Sequence, residues 1–242
     1  MERNGELKEV ANRIWNCWYN HRGPCEGCPN YDHQGYFTPK NIDAGPESGD
    51  PNADIVFIGL EPSDKYNSTP REDLEADEVP DRWEDRNPNR DFSNPTGSGE
   101  DEIRGWLFHE SDGTKRIDPT FDDLIEGTIY YTNLKKCANT GEGDEEARNL
   151  CGEYLNAQTR AISPEVVVPF GENVVNSLQI AGVPIWDAFG DVVMTTCGDG
   201  EPYVVPSYHW SSKWFKSNIK SIGYDDEKEY WTDLAEEINR NL

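Results

Sequence analysis

The sequence predicts an α/β fold: a three-layer sandwich whose central four-stranded parallel sheet lies between helices. Three observations carry this expectation. Four short apolar runs are bounded by polar or turn residues, the mark of strands buried on both faces of a parallel sheet. Stretches with helical spacing alternate with those runs, which implies βαβ units. The chain has 242 residues, enough for one large domain around a single core.

Residues 5–20 place Leu7, Val10, Ile14 and Trp18 on one helical face. The stretch from His21 to Asp50, rich in Gly, Pro and Asn, is expected to be irregular. Asp54–Gly59 (DIVFIG) is the first strand; Thr128–Asn133 (TIYYTN), Glu165–Phe170 (EVVVPF) and Tyr203–Ser207 (YVVPS) are the others. Helices are expected at about 145–162, 171–181 and 226–241. Between Asp64 and Glu102 lies a polar segment with Pro70, Pro80, Pro88 and Pro95. It is too long for an ordinary connection and reads as a functional loop or insertion within a single domain spanning 1–242.

Composition narrows the function classes. No apolar run is long enough to span a bilayer, and residues 2–20 do not resemble a signal peptide, so a cytoplasmic location without membrane contact is expected. There cysteines stay reduced and available to metals. The formal net charge is −25, with 47 acidic residues dispersed along the chain against 22 Lys and Arg. Such a balance argues against ordinary electrostatic binding of nucleic acid. Dispersal rather than an acidic tail points instead to adaptation to a salty, halophilic setting. In molar salt the Debye length falls to roughly 3 Å, so stacking, shape and backbone amides carry recognition.

Polar residues converge where three strands end: Glu61-Pro62-Ser63 after the first, Asn133 at the end of the second, and His209 after the last. In open parallel sheets, ligands bind in the crevice outside the carboxyl ends of the strands. Of the six cysteines, Cys25 and Cys28 form a Cys-x-x-Cys pair in a Gly/Pro-rich loop, and Cys137 and Cys151 form a wider pair. Four thiolates so arranged suit one metal centre, and spacing does not separate zinc from an iron–sulfur cluster. Cys151 is expected to open a helix, where the dipole favours thiolate. Cys17 and Cys197 read as small packing residues.

In this order the motifs resemble the uracil-DNA glycosylase superfamily, especially its iron–sulfur branches. The resemblance rests on Cys25-x-x-Cys28, on Gly59-Leu-Glu-Pro-Ser63 after a strand, and on Ile129-Tyr-Tyr-Thr-Asn-Leu-Lys-Lys-Cys137. It continues through Cys151-x-x-Tyr-Leu-x-x-Gln158, Ser163-Pro-Glu-Val-Val-Val-Pro-Phe-Gly171 and Val205-Pro-Ser-Tyr-His209. It implies a monomeric base-excision repair enzyme hydrolysing the N-glycosidic bond of uracil, or a related deaminated base, in DNA. It also implies that Cys25, Cys28, Cys137 and Cys151 hold a structural 4Fe–4S cluster, with zinc the alternative. Asn133 would read the base edge, and His209 would bond the uracil O2 as charge develops there. Gly59, Leu60, Glu61, Pro62 and Ser63 match the loop that activates water and contacts the base.

Departures from the pattern are specific. The iron–sulfur branch carries its acid directly after the glycine, where Leu60 stands here. The acid of this chain is Glu61, spaced as in the G-Q-D-P-Y loop of the best-known uracil-DNA glycosylases. Trp210 replaces the proline that normally follows the histidine, and the family's stacking segment is missing. Phe92, in the long insertion, is the candidate stacking ring. These changes define an alternative: a catalytically altered member that binds damaged or uracil-containing nucleic acid without cleaving it.

Overall fold

The computed structural model describes residues 6, 7, 9, 10, 13, 14, 17, 22–28, 48–60, 99–109, 115–136, 144–178, 193, 194 and 202–242. A two-residue strand β1 (Ser48–Gly49) precedes β2 (Ile55–Gly59), in which five consecutive residues are buried. Burial of both faces of one strand requires a layer on each side. Helix α1 (Gly99–Arg104) runs into a π-helical turn (Gly105–His109), and α2 (Pro119–Leu124) leads to β3 (Ile129–Asn133). The long helix α3 (Asp144–Ile162) then crosses to β4 (Val166–Pro169), all four residues of which are buried. Helix α4 (Glu172–Ser177), the short strands β5 (Val193–Met194) and β6 (Tyr203–Val204), and helices α5 (Phe215–Ser221) and α6 (Glu227–Arg240) complete the chain.

The strand order is β1-β3-β2-β4-β6-β5. The middle four strands are parallel, as the apolar runs predict, and the two-residue edge strands β1 and β5 pair antiparallel. In register, Ile55 faces Ile129 and Val166, and Gly59 faces Asn133. Pairing continues past β4 and β6 through a Phe170–Ser207 bridge, Ser207 N donating to Pro169 O at 2.9 Å.

Two groups of helices cover the sheet. Helix α3 packs with α4 and with a 3-10 turn at Gly23–Cys25, while α2 packs with α6 and the π-helical turn. An aromatic cluster joins the second group: Phe215 stacks on Trp231 at 5.3 Å, and Trp231 lies 5.1 Å from Phe121. Such rings contribute large apolar area together with directional contacts. Within the N-terminal stretch the described residues are helical, and Val10, Ile14 and Cys17 are buried.

Some expectations change. Gly99–Glu102, assigned to the irregular insertion, begins helix α1. The three helices α1, α2 and α5 are additional to those the spacing predicts. Cys151 does not open its helix: α3 starts at Asp144, so the cysteine sits two turns inside, beyond the reach of the terminal dipole. No helix among the described residues is long and apolar enough to cross a membrane.

Candidate active site

The carboxyl ends of the parallel strands build the site. Gly59 and Asn133 share a rung between β2 and β3, and the ladder continues beyond it. Leu134 N donates to Gly59 O and Lys135 N to Leu60 O, each at 2.9 Å. Gly59 is required by close approach: a Cβ there would lie 2.0 Å from Tyr131 Oη and 2.6 Å from Asn133 Oδ1. Tyr131 and Asn133, two apart on one strand, point to the same face, and the phenol donates to Asn133 Oδ1 at 3.4 Å. Asn133 is fully buried. Leu60 is half-buried and packs on the core.

His209 enters from the other side of the sheet. Its Cβ lies 3.4 Å from where a side chain on Gly171 would begin, and Gly171 has φ +90°. The imidazole stacks on Trp210, ring centroids 4.3 Å apart and planes 16° from parallel. Ser211 N donates to His209 Nδ1 at 3.2 Å, and Ser211 Oγ lies 2.9 Å from the same nitrogen. A backbone N–H can only donate, so Nδ1 is the acceptor and Nε2 carries the hydrogen of the neutral ring. Burial pushes the ring's pKa down to about 4. At neutral pH His209 is therefore an uncharged donor.

The two polar groups are joined by rings. Trp210 is buried, meets Phe170 edge-on at 4.8 Å and approaches Tyr131 at 6.4 Å. The sequence Asn133–Tyr131–Trp210–His209 thus runs across the end of the sheet. From below, Tyr230 of α6 accepts from Tyr208 N at 3.1 Å and bonds Ser207 Oγ at 2.9 Å, fixing the turn before His209. Tyr131, Trp210, Ser211 and Tyr230 extend the set proposed from sequence. For Tyr131 the signal was present, since residues two apart on a strand share a face.

Behind Asn133 lies the cysteine region. Cys28 and Cys151 are buried, Cys25 is half-buried, and none forms a disulfide. Cys28 N donates to Cys25 O at 3.3 Å, closing the turn between them. Cys17, more than a packing residue, accepts from Cys25 N at 3.2 Å and donates to Arg22 O. Burial pushes the Cys151 thiol up to about 11, opposed by the Lys136 backbone N–H and by the charges of Lys136 and Lys135. Cys28 lies close enough to add to the upward shift. Among the described residues no group of three or more His, Cys, Asp or Glu side chains is drawn together as a metal site. Cys28 and Cys151 are buried thiols outside any disulfide, a donor type that suits a thiophilic metal, but the described cysteines are not drawn together to hold one. Glu61, Pro62, Ser63, Phe92 and Cys137 lie outside the described residues.

No curated protein matches the chain. The family model of the uracil DNA glycosylase superfamily matches residues 46–235, a span that contains the six strands among the described residues, Asn133 and His209. With that match and a parallel four-stranded core carrying its polar groups at the carboxyl ends, the chain belongs to the uracil DNA glycosylase superfamily.

Proposed function

We propose that this chain is a monofunctional DNA glycosylase that hydrolyses the N-glycosidic bond of uracil, or of a related deaminated base. The observation that carries the reading is the ring-linked pair of a buried amide, Asn133, and a neutral Nε2–H donor, His209, at one end of the sheet. A flipped base would enter the crevice at a cost of a few kcal/mol of unstacking. The Asn133 amide offers both a donor and an acceptor, which matches the carbonyl and imide N–H of uracil. As the C1′–N1 bond breaks, its electron pair moves into the base and charge grows on O2. The His209 Nε2–H stabilises that charge without first losing a proton. A water adds to C1′, and Glu61 is the group proposed to orient it or to face the cationic sugar. Gly59, Leu60, Pro62 and Ser63 would contact the base, with Phe92 as the stacking ring.

Cys25, Cys28, Cys137 and Cys151 are proposed to hold a 4Fe–4S cluster, zinc being the alternative. The bound metal would brace the segment carrying Asn133 and would take no part in the chemistry. With a net charge of −25, binding to DNA rests on shape, stacking and backbone amides and suits high salt.

A second reading has its own support. Leu60, where the iron–sulfur branch carries its acid, packs against the core, and Trp210 fills the place of the usual proline. A member altered in this way would bind uracil-containing DNA without cleaving it. Incubation of the pure protein with uracil-containing single- and double-stranded oligonucleotides at molar salt separates the two. Abasic product supports the glycosylase. Tight binding with no product at any salt supports the second reading and sinks the first.

A further inference from the structure

Tyr131 and Asn133 share one face of β3, and Gly59 leaves the room in which their polar ends meet. The phenol donates to Asn133 Oδ1 at 3.4 Å. A Cβ on Gly59 would lie 2.0 Å from the phenol oxygen and 2.6 Å from Oδ1, so both atoms occupy the space above that glycine. Both side chains are buried, and the Tyr131 ring lies 6.4 Å from Trp210. The Asn133 backbone is held separately: Leu134 N donates to Gly59 O at 2.9 Å, and Lys136 Nζ donates to the Asn133 carbonyl. The Tyr131 contact thus acts on the amide group rather than on the strand that carries it.

A side-chain amide is nearly symmetric in shape but not in hydrogen bonding, since a half turn about its last bond exchanges an acceptor for two donors. Oδ1 has two lone pairs, so it can accept from the phenol and from an imide N–H together. In that orientation Nδ2 donates to the ring carbonyl beside the imide, and the pair matches uracil. Cytosine presents the reverse, a ring nitrogen that accepts and an amino group that donates, and it requires the turned amide. Turning would aim the Nδ2 hydrogens at the phenol and take this acceptor from its O–H, in a buried place where mismatched donors are costly.

We propose that Tyr131 is a positioning residue that fixes the orientation of the Asn133 amide and so sets the choice of an oxo base over an amino base. The proposal rests on the base-reading role given to Asn133. It adds that the asparagine does not discriminate alone, because the phenol decides which end of the amide meets the base. At 3.4 Å the bond is long for an O–H donor, so the contribution is that of one modest hydrogen bond, about fivefold in preference.

Binding at molar salt to single-stranded oligonucleotides carrying one 2′-fluoro-2′-deoxyuridine or one 2′-fluoro-2′-deoxycytidine reads the choice. The fluorine destabilises a cationic sugar and blocks cleavage, so affinity is measured without turnover. Wild type prefers the uracil strand. In Tyr131→Phe the ratio of the two affinities falls about fivefold. In Asn133→Ala the preference is lost, and adding Tyr131→Phe changes it no further, the non-additivity expected of a residue that acts through another. A tyrosine that merely packs would weaken both strands alike, and an unchanged ratio in Tyr131→Phe overturns the proposal. So does a ratio that falls by the same factor when Asn133 is absent. Tyr131→Met, which also removes the hydroxyl, is read in the same way where Tyr131→Phe does not fold. A wild type that binds the two strands equally overturns the proposal together with the role of Asn133. Wild type that prefers uracil but releases no base from the unfluorinated strand counts against the glycosylase reading alone and leaves the binding result standing.

Discussion

Gly59 and Asn133 sit on the same rung of the sheet, so close that a methyl group on the glycine would lie 2.6 Å from the asparagine Oδ1 and 2.0 Å from Tyr131 Oη. Both atoms end side chains that are themselves buried, which limits how far they can give. Gly59→Ala is therefore expected to cost about 1–3 kcal/mol through overpacking and to displace the Asn133 amide. Removing the Tyr131 hydroxyl relieves the shorter contact, so Gly59→Ala/Tyr131→Phe should recover part of the stability. Thermal unfolding of the two variants and of Tyr131→Phe alone checks this. Additive losses would show that the contacts do not compete.

His209 makes stability depend on pH with a definite sign. The fold holds its pKa at about 4, below the ordinary 6.5, and so favours the neutral ring. Its contribution is complete above pH 6.5 and is lost as the pH falls from there to about 4, because the unfolded chain binds the proton more readily. Between those limits wild type should lose more stability than His209→Gln, with the carboxylates common to both. Base excision that depends on the Nε2–H donor should not titrate with His209 until the pH approaches 4. An excision profile controlled by this residue near pH 6.5 would contradict the neutral ring.

Trp210 acts on His209 through a face-to-face stack and on the core through Phe170. Trp210→Ala should lose about 3–5 kcal/mol of stability, as other large-to-small aromatic changes in cores do. It should also let water reach the imidazole and move the His209 pKa back toward 6.5. Trp210→Phe, which keeps a ring in place, should hold the pKa low. NMR titration of the imidazole distinguishes a general loss of stability from this local effect.

The cysteines separate by metal content. On the proposed metal assignment, Cys28→Ser and Cys151→Ser should abolish metal uptake, together with the visible absorbance if the centre is an iron–sulfur cluster. Cys17→Ala should keep it. Its sulfur supports the Cys25 amide and is not an expected ligand, so the loss should be about 1 kcal/mol, the value of one hydrogen bond. Metal analysis of the three purified variants checks the assignment.

The parallel core was legible because a strand buried on both faces leaves an unbroken apolar run, as Ile55–Ile58 and Val166–Val168 do. The two-residue edge strands carry no periodicity and could not be read. Helix α2 did carry a signal, Asp118 capping Thr120 N at 2.9 Å with Pro119 behind it, but the pair lay inside a polar stretch. Helix α5 offers only Phe215 and Ile219 as an apolar pair. At the site, the strand ends named Asn133 and His209, whereas the contacts that prepare them come from residues whose chemistry looks ordinary in sequence. Lys135 and Lys136, charged residues at a strand end, are buried. The oxygens that Lys136 finds on β3 and α3 account for its placement. Trp210 was visible as a departure from the family pattern, but its stacking partner was not.

Tyr230, which steadies the turn before His209, belongs to α6, and α6 ends only at Arg240. The same helix places Tyr230, Trp231, Leu234, Ala235 and Ile238 in the core, so the brace on the histidine turn and the packing of the core stand or fall together. A chain ending before α6 would lose both at once, and the histidine turn would not be left unbraced on an otherwise finished fold.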